Sequence, residues 1–117
     1  MSRLLIVDDE ALARSRLATL VAECTEPRCT VAGQCASAQQ ARQVREDNRL
    51  DLVLLDIWMP DTDGVTLLRE WASGGKLTMP VIMMSGHATI DTAVEATRIG
   101  ALDFLEKPIT MQKLLKA

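Results

Sequence analysis

LDLVLLDIWMPDTDG, residues 50–64, sets an unbroken aliphatic run, Leu52 to Leu55, directly before Asp56, and follows it with a proline, two more acids and a glycine. Continuous rather than alternating apolar residues are what a strand covered on both faces needs, and such strands belong to parallel sheets. Two further runs repeat the pattern: LLIV at 4–7, followed by Asp8-Asp9-Glu10, and VIMM at 81–84, followed by Ser85-Gly86. Weaker strands are expected over Thr30–Gln34 and Leu102–Glu106, the second of them running into Lys107-Pro108. Helix-period segments lie between. Ala13, Leu17, Leu20, Val21 and Cys24 share one helical face, Ile90, Ala93, Val94 and Thr97 share another, and Ser37–Asp47 and Val65–Ala72 complete the series. Gly74-Gly75 and Gly100 suit helix ends, and Pro60, Pro80 and Pro108 interrupt at strand boundaries. Five repeats of strand then helix, joined by right-handed crossovers, predict an α/β fold: a doubly wound, five-stranded parallel sheet with helices on both faces.

The rest of the chain bounds what this fold can do. With 117 residues, 48% hydrophobic and 25% charged, it suffices for one core, so residues 1–117 are expected to form one domain. The net charge of -3, without a cluster of Lys and Arg, gives no footprint of nucleic-acid or membrane-surface binding. MSRLLIVDDE holds too short an apolar run for a secretory or membrane-spanning segment, and a cytoplasmic location is expected. Cys24, Cys29 and Cys35 lack C-x-x-C spacing and a nearby His, so reduced thiols are expected rather than a disulfide framework or a zinc site. The final TMQKLLKA, with Thr110 as cap and Leu114 and Leu115 as its apolar pair, reads as a helix cut short, and the chain as a piece of something longer.

In open parallel sheets the functional crevice lies beyond the carboxyl ends of the strands. Four strand ends here deliver Asp8 and Asp9, Asp56, Ser85 and Lys107 to that edge. Three carboxylates held close together repel one another unless a cation neutralises them, and a hard divalent ion such as Mg²⁺ fits an all-oxygen set. With the charge neutralised, Asp56 is a candidate nucleophile towards phosphorus, yielding an aspartyl phosphate. Lys107 and Ser85 are suitable partners for the phosphoryl oxygens, and Gly86 leaves the approach open.

IVDDE, LLDIWMPDTDG, MMSGHA and GALDFLEKP, in this order and spread over the whole chain, resemble the receiver domain of bacterial two-component response regulators. The resemblance implies a flavodoxin-like strand order of 2-1-3-4-5. It implies that Asp56 accepts a phosphoryl group from a phosphohistidine on a sensor histidine kinase, with Asp8, Asp9, Asp56 and the backbone carbonyl of Trp58 around Mg²⁺. Ser85 and Phe104 become the switch pair, moving on phosphorylation to reshape the face of the fourth helix, fifth strand and fifth helix, with a homodimer on activation as one outcome. It also implies a cis Lys107-Pro108 bond, and gives Trp58 and His87 a part in the lifetime of the phosphate. The domain is then a phosphoacceptor with self-catalysed phosphotransfer and slow autodephosphorylation, rather than a turnover enzyme.

Two other readings compete. Asp61-Thr62-Asp63-Gly64-Val65 resembles the D-x-D-x-(T/V) loop of haloacid-dehalogenase-type phosphatases, which would make the chain an Mg²⁺-dependent aspartyl-phosphate phosphohydrolase. In those enzymes the nucleophile directly ends a strand, whereas Pro60 separates Asp61 from one here, so Asp61 and Asp63 are expected to cap the helix that follows. A stand-alone receiver acting on a protein partner is the other alternative. The run SGHATIDTAVEATRIGALDFLEKP resembles receivers attached to ATP-driven enhancer-binding activators of the nitrogen-regulation type. VDDEALARSRL is similar to receivers linked to a LytTR-type DNA-binding domain, and the longer run favours the first. In neither case would this domain itself touch nucleic acid.

Overall fold

The computed structural model describes residues 2–23, 29–47, 50–57, 61–75, 79–86, 90–107 and 109. Strands and helices alternate along the chain: β1 (Ser2–Val7), α1 (Ala11–Glu23), β2 (Cys29–Cys35), α2 (Ala38–Asp47), β3 (Leu52–Asp56), α3 (Gly64–Ser73), β4 (Val81–Ser85), α4 (Ile90–Ile99) and β5 (Asp103–Glu106). The sheet is parallel throughout, in the order β2-β1-β3-β4-β5, as expected. Residues 110–117, and with them the short last helix, lie outside the described residues, as do Cys24, Trp58, Pro60, His87 and Pro108.

The three continuous aliphatic runs became the three inner strands because both faces of each are covered. Residues Leu4–Val7, Val53–Leu55 and Val81–Met84 are 0–2% exposed. Alternation within each strand divides them between two cores. Leu5, Val7, Val53, Leu55, Val81 and Met83 face a cluster shared with Ala38 and Ala41 of α2, Leu67, Leu68 and Trp71 of α3, and Ala96 of α4. Leu4, Ile6, Leu54, Ile82 and Met84 face the other side, where Leu17 and Val21 of α1 cover them.

The expected elements appear with small shifts at their ends. β2 is longer than Thr30–Gln34 and takes up one extra residue, since Leu4 pairs with Val31 and Leu5 with Gly33. At the end of α3, Gly74 donates to Glu70, and Gly75 adopts φ +70°, which costs a glycine little. Cys29 and Cys35 are free thiols. No helix among the described residues is long and apolar enough to cross a membrane.

One expected face is corrected. Among the described side chains of α4, which leave out Ile90, the buried one is Ala96, with Ile99 packed against the core, whereas Val94 is 49% exposed and Thr97 is exposed as well. Small Ala96 lets the helix lie close over the sheet and turns the larger Val94 outward, an outcome that hydrophobicity at helical spacing does not reveal.

Candidate functional site

Asp8 follows β1 directly, where its N–H donates to the carbonyl of Cys35 at 2.9 Å, and Asp56 is the last residue of β3. Ser85 ends β4, and its carbonyl accepts the N–H of Lys107 at 2.9 Å, which fixes the lysine backbone just past β5. The sheet hydrogen bonds therefore set the spacing of all four groups. Among the described residues the buried polar side chains are Asp8, Asp56 and Ser85, at 0%, 2% and 0% exposure. Burying such groups is costly unless they are paired, so their concentration at one sheet edge marks a site.

Lys107 ties the two acids together. Its Nζ lies 2.8 Å from Asp8 Oδ2 and 3.2 Å from Asp56 Oδ1. Asp8 Oδ1 accepts the N–H of Glu10 at 3.0 Å, and Arg14 of α1 donates to the Asp8 carbonyl at 2.6 Å. One ammonium does not offset the local negative charge. Burial and the neighbouring Asp8 push Asp56 up to about 6, against the opposing charge and hydrogen bond of Lys107, and Asp9 adds to the rise. Burial works against the charge on Lys107, but its hydrogen bond to Asp8 and the charges of Asp56 and Asp8 outweigh that, and its pKa is raised.

This excess of negative charge is what a bound cation would relieve. The ligand oxygens of Asp8, Asp9 and Glu10 lie within 4.8 Å of one another, with Asp9 and Glu10 exposed. An all-oxygen set with unbalanced charge fits a hard divalent ion such as Mg²⁺. Glu10 was not among the expected ligands. Its position in the unbroken run Asp8-Asp9-Glu10 was the available signal.

Phe104 pairs with Met83, and Ser85 with Glu106, so Ser85 and Phe104 project to the same face of the sheet on adjacent strands. Phe104 is partly buried against the α2–α3–α4 core. Trp58, whose carbonyl was an expected ligand, and His87 lie outside the described residues.

The two other acids of the opening stretch are occupied elsewhere. Asp63 caps α3 as expected, accepting the N–H of Thr66 at 2.8 Å. Asp61 does not cap that helix. It accepts from Ala38 at 3.0 Å and Gln39 at 2.9 Å, the first amides of α2. Sequence proximity pointed to the next helix, but the strand order brings an earlier one alongside. Gly64 comes close to the end of β3: it donates to Ile57 O at 2.8 Å, and a Cβ on Gly64 would fall 2.3 Å from Asp56 O. The clash would be with backbone, so the position admits only glycine without displacing the end of β3.

A family model described as response regulator receiver domain matches residues 4–117. Among curated proteins, the regulatory protein AtoC of Escherichia coli is 41% identical over 115 residues, covering 97% of this chain and 24% of its own length. Among solved structures, the beryllofluoride-activated NtrC4 receiver domain dimer is 32% identical with a TM-score of 0.86, covering 99% of this chain and 92% of the other. CheY in a CheX–CheY–BeF3–Mg²⁺ complex from Borrelia burgdorferi is 27% identical with a TM-score of 0.87, covering 98% and 84%. The chain spans about a quarter of the length of AtoC.

Proposed function

The chain belongs to the response regulator receiver domain family, and from that premise we propose that Asp56 is the phosphoacceptor of a phosphorylation-operated signalling switch. The observation that carries this reading is the Lys107 ammonium set between Asp8 and Asp56, two buried carboxylates at adjacent strand ends.

With a pKa of about 6, Asp56 is ionised over protonated by about ten to one at pH 7, so it has a lone pair to offer. That oxygen attacks phosphorus in line with the P–N bond of a kinase phosphohistidine. The P–O bond to Asp56 forms as the P–N bond breaks, and the imidazole keeps the electron pair. Lys107, already 3.2 Å from the attacking carboxylate, would neutralise a phosphoryl oxygen, and the Ser85 hydroxyl would donate to another. Asp8, Asp9, Asp56 and the Trp58 carbonyl would hold Mg²⁺, which when bound supplies positive charge to the acids and to the phosphoryl oxygens. Ser85 is drawn towards the new group and Phe104 turns inward, which reshapes the face of α4, β5 and the helix that follows. The output is an enhancer-binding transcriptional activator, the setting is the cytoplasm, and the kin named above supports this choice over a LytTR-type output.

Mg²⁺ and acetyl phosphate followed by intact mass should give one phosphoryl adduct in the native protein and none in Asp56→Asn. Loss of the adduct in Asp61→Asn with retention in Asp56→Asn would overturn the assignment and favour the phosphatase-type loop. Beryllofluoride titration with and without Mg²⁺, read by Trp58 fluorescence, tests the metal separately. Since Trp71 is 2% exposed in the core, it is best replaced by Phe in that experiment.

A further inference from the structure

Asp61 and Thr62 sit in the segment that leads from Asp56 to α3, yet their side chains are held by α2. Asp61 accepts the amides of Ala38 and Gln39, and Arg42 donates from Nη2 to Thr62 Oγ1 at 3.2 Å. The same guanidinium forks onto Glu70 of α3, at 2.7 Å from Nε and 3.2 Å from Nη2. α2 also carries capping bonds of its own, since Ser37 Oγ accepts the N–H of Gln40 at 3.3 Å and the Gln40 side chain accepts the N–H of Ala36 at 2.7 Å, and Asp61 adds to them at Ala38 and Gln39. Among its described side chains α2 has no large apolar anchor: the buried ones are Ala38 and Ala41, with Val44 partly buried, so polar contacts carry much of its placement.

We propose that Asp61 is a positioning residue for phosphotransfer: its contacts and those of Arg42 brace Asp61 and Thr62 against α2 and so hold Gly64 in place beside Asp56 at the end of β3. The loop is closed at its base by the Gly64 to Ile57 hydrogen bond, where Gly64 leaves no room beside Asp56 O. The brace holds its far side. Releasing it loosens Gly64 against Ile57 O and Asp56 O at the end of β3, which weakens cation binding at Asp56 without removing the acceptor itself. The effect on phosphotransfer rests on the function proposed above, whereas the effect on the loop does not.

Two readouts separate them, taken at a temperature where every variant is folded. Amide exchange should quicken at Gly64 in Asp61→Ala and in Arg42→Ala by about fivefold or more, the loss of one net hydrogen bond. The Mg²⁺ half-saturation for acetyl-phosphate labelling should rise by a similar factor with the maximal rate little changed, and Asp61→Asn, which keeps one acceptor, should fall between. Ser37→Ala removes the cap of α2 but leaves the brace, and should alter neither readout. Unchanged Gly64 exchange in Asp61→Ala, or equal changes in Ser37→Ala, would sink the brace. If the native protein takes no phosphoryl group, the phosphotransfer reading fails while the exchange arm still decides the brace.

Discussion

Asp56 ends a strand of aliphatic residues, and burial together with the Asp8 carboxylate raises its pKa from 3.8 to about 6. Between those values the folded protein retains a proton that the unfolded chain has released. Stability present below the window is therefore lost as pH rises through it, the reverse of an ordinary salt-bridged aspartate. Asp56→Asn removes the charge and keeps the shape. In the absence of divalent cations the variant should exceed the native protein in stability at pH 7 by up to roughly 3 kcal/mol, with the pH-dependent part of the gain gone below about pH 4. Urea unfolding across that range checks this, and a gain that stays flat with pH would mean that Lys107 fully compensates the acid. Asp8, Asp56 and Ser85 were legible in the sequence because each stands at the end of an apolar run, and Lys107 because it follows the weaker strand expected over Leu102–Glu106. The partner of Asp61 was not, since Ala38 is 23 residues away and only the assembled sheet makes them neighbours.

Among the elements, the inner strands were the most legible, because an aliphatic run covered on both sides leaves one reading. The edges were less so. β2 is mostly half-buried and accommodates an extra residue, and its limits follow from pairing with β1 rather than from its own composition. α4 is where helical periodicity misled: the sequence offers Val94 as core and hides Ala96 among small residues. Ala96 is 0% exposed, and Arg69 and Glu95 form an ion pair that ties the outer side of α4 to α3. Ala96→Leu should therefore overpack the sheet and cost about 1–3 kcal/mol. Val94→Ser, at a half-exposed position, should stay within about 0.5 kcal/mol of the native protein. Chemical denaturation of the two variants distinguishes the faces, and the opposite ranking would restore the stripe through Val94 as the buried one.

For the whole molecule, the five strands and the four helices between them were legible from periodicity, whereas the strand order came from family resemblance, because spacing alone does not say which strand lies beside which. That order matters because β1 and β3 are neighbours, which puts Asp8 and Asp56 on one ammonium at a single edge. A cation held there binds the folded state and not the unfolded chain, so the site should report on global stability. At about a hundred times its dissociation constant, Mg²⁺ should contribute about 2.7 kcal/mol, a rise in Tm on the order of 10 °C at pH 7. Near pH 5 the proton on Asp56 competes, and the rise should shrink. Asp56→Asn should lose most of it at both pH values. Thermal unfolding with and without MgCl2 decides the matter. An undiminished rise in Asp56→Asn that disappears in Glu10→Gln would move the cation outward, onto the Asp8-Asp9-Glu10 run, and leave Asp56 with Lys107 as its counter-charge.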